Sequence, residues 1–451
     1  MKKLLLAMLL VSAAALAGDS HLNVPYTRFR LPNGLDVVLH VDRTLPTVSV
    51  NIWYHVGSGR EKPGRTGFAH LFEHIMFEGS KNVPEGKFDE WLEAAGGDNN
   101  GSTTTDRTNY YENVPSNALA LPLFLESDRM GFLVDAMSEK SVDGQRDVVK
   151  NERRQSYENR PYGMASIVID ENLFPDDYPY HWPTIGSMED LSAASFDDVV
   201  EFFRTYYTPG NASMVIAGDI DPKKTRELVE HWFSDIPAGK PVPPLVPVSA
   251  PVITEEKRLV IEDKVQLPRL YMAWITPALM APGDAQLDLL SSILAGGKNS
   301  RLYKKLVYDL QIAQDVTAYQ ASAALASQYH IVVTARSGHN LTEIEKVVEE
   351  ELSTIAATPP SAHEVQRAIN QYESGFLRRL ESVSSKADML NAYLTGTGDP
   401  DYFNEDLARY KAIDPDDISS AASTYLRPDA RVVLSVVPTG KTELAAAKEG
   451  N

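Results

Sequence analysis

Residues 67–80 read Gly67-Phe68-Ala69-His70-Leu71-Phe72-Glu73-His74-Ile75-Met76-Phe77-Glu78-Gly79-Ser80. No glycine or proline interrupts Phe68 to Glu78, and Ala69, Leu71, Phe72, Ile75, Met76 and Phe77 supply apolar mass, so the stretch predicts a buried helix. On a helix, His70 and His74 are four residues apart and stack on one face, with Glu73 beside them. Two neutral imidazoles and a neighbouring carboxylate are what a catalytic zinc site needs from one helix. The imidazoles hold the metal, and the carboxylate can take a proton from metal-bound water. The order is the reverse of the commoner H-E-x-x-H. A buried helix whose histidines bond to backbone carbonyls would show the same five residues, so the rest of the chain has to discriminate.

Working outward, Tyr26–Leu31 and Leu35–Leu39 flank Pro32-Asn33-Gly34, a hairpin signal. Thr47–Val56 reads as a strand leading through a Gly-rich loop to the metal helix. Beyond it, Lys87–Ala95 reads as a helix ended by Gly96-Gly97. The following Asp98 to Asp106, with Thr103, Thr104 and Thr105, favours extended backbone but has little apolar surface. It could be an exposed edge strand able to pair with an extended peptide, or a polar loop. Asn117–Met137 and Asp143–Asn159 read as helices, and the second carries Glu152. Glu152 could be a third metal ligand or a surface carboxylate paired with Arg or Lys a turn away.

The second half repeats the first. Asp197-Asp198-Val199, Thr205-Tyr206 and Pro209 reappear as Asp416-Asp417-Ile418, Thr424-Tyr425 and Pro428, every position displaced by the same offset. Two copies of one α+β unit explain this. The same offset puts Leu289, Ser292 and Ile293 opposite His70, Glu73 and His74, so the second copy keeps an apolar helix without the metal residues. The Pro-rich stretch around 237–251 is the natural boundary. The predicted division is a signal peptide over 1–17, a metal-binding domain over 18–238, a linker over 239–256 and a homologous domain without a metal site over 257–451.

The 451 residues, 43% hydrophobic and 23% charged, are globular in composition and too many for one ordinary core. A net charge of −19 argues against nucleic acid or an anionic membrane as partner. Lys2 and Lys3, the apolar run Leu4–Leu16 and Ala15-Leu16-Ala17 form a cleavable targeting segment, which predicts a bacterial periplasmic or secreted product. There is no cysteine, and no later stretch reads as a membrane span.

With these residues in view, the chain resembles the inverted-motif zinc peptidases of the pitrilysin, insulin-degrading enzyme and mitochondrial processing peptidase family, in its short two-domain bacterial form. The resemblance covers nearly the whole mature chain. It rests on Gly67 to Phe77 with Gly79-Ser80, on Thr105, Thr108 and Tyr110, and on Asn151-Glu152 at its distance beyond His74. It also rests on Pro179-Tyr180-His181, Ile185-Gly186, Tyr207 to Asn211 with Gly218-Asp219, and Gly296-Gly297-Lys298-Asn299-Ser300-Arg301-Leu302-Tyr303. The implied fold is α+β: two homologous α/β sandwich domains, antiparallel-rich sheets with helices packed on them, four such domains enclosing a chamber. The implied site is one Zn2+ per chain held by His70, His74 and Glu152, with Glu73 as general base. A strand near Asn100, Gly101, Ser102 and Thr103 would bind a peptide substrate.

Two positions depart from the family. Gln145 stands where a second Glu is common, and it can still hydrogen-bond a group behind the ligands. Val307 and Gln314 stand where the family has an Arg and a Tyr that grip the substrate carbonyl. The expected partner is therefore a homologous paralogue supplying that pair in a heterodimer. The alternative is a homodimer, with weak activity or with a substituted carbonyl-binding group such as Arg301. The leading reading is an endopeptidase subunit acting on peptides or unfolded segments. A maturation protease for one dedicated peptide and a binding or assembly subunit with a vestigial metal site are the other readings.

Overall fold

The computed structural model describes residues 21–243 and 249–447. The expected signal peptide and the middle of the Pro-rich stretch lie outside the described residues. The first half carries strands β1 (Tyr26–Arg30), β2 (Asp36–Val41), β3 (Thr47–Tyr54), β4 (Asp98–Thr103), β5 (Thr108–Pro115) and β6 (Ala212–Gly218). Its helices are α1 (Phe68–Ile75), α2 (Lys87–Ala94), α3 (Ala120–Phe132), α4 (Glu139–Arg153), α5 (Ala165–Leu173), α6 (Met188–Ala193), α7 (Phe196–Tyr206) and α8 (Pro222–Phe233). The second half carries β7 (Lys257–Asp263), β8 (Arg269–Thr276), β9 (Ala313–Ala321), β10 (Ser327–Ala335) and β11 (Val432–Pro438). Its helices are α9 (Asp284–Ala295), α10 (Leu341–Ala357), α11 (Ala362–Arg379), α12 (Val383–Thr397), α13 (Phe403–Lys411) and α14 (Pro415–Tyr425).

The sheets run β1-β2-β6-β3-β5-β4 and β7-β11-β8-β10-β9. Without β1 the two orders correspond strand for strand. In each, the pair at the first end is parallel and the remaining pairs are antiparallel. The α+β fold with two like units is therefore present. Helices α7 and α14 start and stop at the offset read from the sequence, and each opens with a capping box, Ser195 with Asp198 and Asp414 with Asp417. The strands that follow lie slightly further apart, because the second connection is longer by a single residue.

Strands β6 and β11 are buried along their whole length, which a sheet covered on one face alone could not achieve. The second cover is exchanged between the halves. Helix α12 lies on β3 and β6 of the first sheet, where Leu390, Tyr393 and Leu394 meet Val38, Val215 and Ala217. Helix α5 lies on β8 and β11 of the second sheet, where Ile169 and Leu173 meet Val432, Leu434 and Val436. Polar groups fix both. Buried Asn391 donates to Asn51 O and accepts from Ser213 Oγ, and Gln328 donates to Asp170 at 2.8 Å. Truncating Leu390 or Ile169 to Ala would cost roughly 2–5 kcal/mol and loosen both halves together.

Several predicted bounds shift. The strand expected through Val56 ends at Tyr54. The metal helix ends at Ile75 rather than Glu78. The helix expected from Asn117 begins at Ala120 after a 3-10 turn over Ser116–Ala118 and ends at Phe132. The helix expected from Asp143 begins at Glu139, because Ser138 and Ser141 cap one another there. After Arg153 it widens into a π turn over Arg154–Glu158. Asp98–Thr103 forms the edge strand β4, paired on one side to β5.

Candidate metal centre

Helix α1 begins behind Gly67, whose φ is +88°. A Cβ there would fall 2.9 Å from Ile185 O and 3.0 Å from Gly186 Cα, so only glycine admits the contact. The free N–H groups of the first turn are taken by buried Glu61, which accepts from Gly67 at 2.9 Å and Ala69 at 2.8 Å. Burial pushes the Glu61 carboxyl up to about 8, against the pull of those donors. Phe68, Leu71, Phe72 and Ile75 fill the first core, which leaves His70, Glu73 and His74 on the remaining face.

That face meets α4. His74 Nε2 lies 3.3 Å and His70 Nε2 3.7 Å from Glu152 Oε2. The three donor atoms all fall within 4.8 Å of one another. Tetrahedral zinc with bonds of about 2.0–2.1 Å sets neighbouring donors roughly 3.3 Å apart, so the donor set and its spacing fit the ion. Burial holds His70 below the usual imidazole range, and the His74 hydrogen bond holds Glu152 below the usual carboxylate range. Both directions favour the ligating forms. Glu152 faces the imidazoles, while its neighbour Arg153 pairs with Glu158.

The edge strand closes the other side. Thr103 Oγ1 donates to Glu73 Oε2 at 2.6 Å. A Cβ on Gly101 would sit 3.2 Å from Glu73 Cγ and 3.2 Å from the Tyr110 ring, so glycine lets β4 run over the carboxylate. Arg107 fastens the strand by donating to Ser102 O at 2.8 Å and Ser102 Oγ at 2.7 Å. Asn100, Gly101, Ser102 and Thr103 thus stand beside Glu73 on the open edge of the sheet. Gln145 donates to Glu78 Oε1 at 2.5 Å, one turn beyond His74, and to none of the three donor residues. A cleft of about 350 Å3 opens beside Glu152, walled by Tyr157, Arg160 and Tyr162 and by Arg269 and Tyr271 of β8.

In the second half, Val307 is half-buried in a π turn over Tyr303–Asp309 and packs on the core, and Gln314 is exposed on β9. Arg301 is engaged by Glu364 through two bonds of 2.7 and 3.1 Å. Glu256, Glu345 and Glu349 also converge, but Arg431 bonds all three and Arg258 bonds two, an ion network rather than a metal site.

A family sequence model described as Insulinase (Peptidase family M16) matches residues 36–172. A second, described as Peptidase M16 inactive domain, matches residues 193–372. The chain belongs to peptidase family M16. It is 28% identical to the zinc protease PqqE of Helicobacter pylori over 81% of this chain and 82% of that one. It is 23% identical to a probable mitochondrial-processing peptidase subunit beta of Arabidopsis thaliana, over 94% and 80%. A crystal structure of a protease from Helicobacter pylori superposes with a TM-score of 0.86 at 26% identity, covering 92% of this chain and all of that one. The periplasmic protease PqqL of Escherichia coli shares the fold, with a TM-score of 0.76 at 19% identity, and this chain spans 50% of its length. For an M16 chain, the second match lies largely on the half that lacks metal residues.

Two site residues escape sequence reasoning. Glu61 caps α1 across a loop with no fixed spacing. Arg107 reaches Ser102 only because β4 and β5 pair as a hairpin, a signal the turn Thr104–Arg107 carries weakly.

Proposed function

We propose that this chain is the zinc-binding subunit of an endopeptidase that cuts peptides or unfolded segments inside a chamber. The observation that carries the reading is the convergence of His70, His74 and Glu152 beside a carboxylate, Glu73, that is itself bonded to an open strand edge. When bound, a zinc ion would supply Lewis acidity and lower the pKa of water toward ~7. Thr103 occupies Glu73 Oε2, which leaves Oε1 to take a proton from the attacking water and hand it to the departing amine. Asn100 to Thr103 hold an extended peptide by adding it to the sheet edge.

The chain works with a homologous paralogue. Val307 and Gln314 offer no carbonyl-gripping pair, and Arg301, the substitute in this chain, is committed to Glu364. A homodimer is the competing arrangement. The targeting segment Lys2–Ala17 supports a periplasmic or secreted location, and no described helix is long and apolar enough to cross a membrane. Each sheet draws its strands from one side of residues 239–256, which supports the division into domains 18–238 and 257–451.

The test is peptide digestion by the zinc-loaded protein and by Glu73→Gln. The variant keeps zinc and peptide binding but loses several orders of magnitude in turnover. Near-normal hydrolysis by Glu73→Gln would overturn the assignment.

A further inference from the structure

The repeat places a second groove where the first half has its metal centre. At the offset that relates the two halves, Asn370 and Gln371 on α11 stand opposite Asn151 and Glu152 on α4, and Ser292 on α9 stands opposite Glu73. The fold bears this out, because α11 packs on α9 as α4 packs on α1. Ser292 Oγ donates to Gln371 Oε1 at 2.5 Å, and Gln371 Nε2 donates to Gly296 O at 3.4 Å. Leu289 and Ile293, opposite the two histidines, are buried in the second core. These residues offer no metal-ligating set, but a groove of about 680 Å3 lies there.

Its lining carries no carboxylate, in a chain whose net charge is −19. Arg367, Arg378, His363, Asn370, Gln371 and Ser374 supply most of its wall. The two carboxylates of α11 are spent elsewhere, Glu364 on Arg301 and Glu373 on Lys411. Arg378 has no ion-pair partner among the described residues. Arg367 gives one nitrogen, Nη1, to Asn299 O at 3.1 Å, while its Nε and Nη2 are shielded from water and meet no acceptor among the described residues. Those two N–H groups form one edge of the planar guanidinium, the pair of parallel donors that matches the two oxygens of a carboxylate. Desolvated and unpaired, they favour any small side-chain rotation that brings a carboxylate against them.

We propose that this groove is a second substrate subsite, which binds a carboxylate of the peptide through Arg367 and Arg378. The groove that corresponds to the metal centre of the first half would thus serve as an anchor that holds an acidic segment or chain end. The inference rests on the peptidase reading above.

The experiment measures binding rather than cutting. Glu73→Gln protein, zinc-loaded, is titrated with a fluorescent peptide that ends in glutamates and a free carboxylate. Two companions are its C-terminal amide and its Glu-to-Gln version. In the same background, Arg367→Gln and the exposed Arg378→Gln are expected to weaken the acidic peptide about tenfold each. Their affinity for a fully neutral, amidated peptide is expected to stay within about twofold. The peptide arm that becomes insensitive to the substitutions identifies whether the chain end or the side chains are gripped. Arg367→Lys, which keeps the charge but loses the paired edge, is expected to recover less than half of the lost affinity. Equal weakening of acidic and neutral peptides, or unchanged affinity in folded Arg378→Gln, would overturn the subsite. Binding with no carboxylate preference, together with zinc-dependent cutting by the chain that keeps Glu73, would sink this inference alone. Failure of both chains to bind any peptide, and of the chain that keeps Glu73 to cut one, would sink the peptidase reading with it.

Discussion

Thr103 Oγ1 and Glu73 Oε2 are 2.6 Å apart, a hydrogen bond that joins the free edge of the first sheet to the helix bearing both histidines. The strand proposed to hold the peptide and the residue proposed to move its proton are thereby positioned as one unit. A substrate that pairs with β4 is placed relative to Glu73 before any chemistry begins.

The first prediction removes that bond. Thr103→Val keeps the shape of the side chain and frees Glu73 to rotate. Turnover should fall on the order of 10-fold to 100-fold, since small misplacements of a reacting group cost this much. Zinc content should not change, because Thr103 touches no donor atom of the metal site. A variant with full kcat would show that the bond is incidental.

Glu152→Ala leaves two imidazoles without the carboxylate that lies 3.3 Å from His74. Purified variant should carry well under half of the one zinc per chain expected of the wild type, read by elemental analysis. Retention of a full equivalent would mean that the third ligand is another residue.

A third prediction concerns Asp170, which lies on the exchanged helix α5 and bonds Gln328 of β10. Burial pushes its carboxyl up to about 7, opposed by the Gln328 donor. The folded chain therefore holds this proton more tightly than the unfolded chain, where an aspartate titrates near ~3.9. Its contribution is greatest below that value and is lost as pH rises through about 7. Asp170→Asn keeps the acceptor for Gln328 and cannot ionise. It should match the wild type near pH 4 and exceed it at pH 8, by on the order of 3 kcal/mol, seen as a Tm higher by several degrees. A constant difference across that range would refute the linkage. Glu61, with its carboxyl pushed to about 8, slopes the same way and should keep some pH dependence in the variant.

The paralogue can be tested directly. Expressed alone, the chain should hydrolyse peptides weakly, because each missing donor to a developing oxyanion is typically worth ~10²–10³ in rate. Co-expressed with a homologous chain that carries an Arg and a Tyr in its second half, it should form a heterodimer of much higher activity. Size measurement and peptide hydrolysis of both preparations decide the matter. A fully active homodimer, indifferent to the added chain, would favour the competing arrangement.

Local spacing made part of this protein legible in its residues alone. His70 and His74 share a face because helical geometry puts residues four apart in line, wherever the helix lies. Each unit was legible twice, since the capped helix recurs at a constant offset with a strand behind it. The constellation is different, because its members are close only after the sheets pack. Glu152 is far from His74 along the chain, with α2, the β4–β5 hairpin, α3 and most of α4 between them, and only the docking of α4 on α1 brings it to the imidazoles. Asp98–Thr103 was equally a loop or a strand until β5 supplied its hydrogen bonds. Arg301 was a possible substitute for the carbonyl-gripping pair in the sequence and is a partner of Glu364 in the fold. The exchange of α5 and α12 had no sequence signature. An apolar helix face states that it must be covered, and only the assembled core decides which sheet covers it.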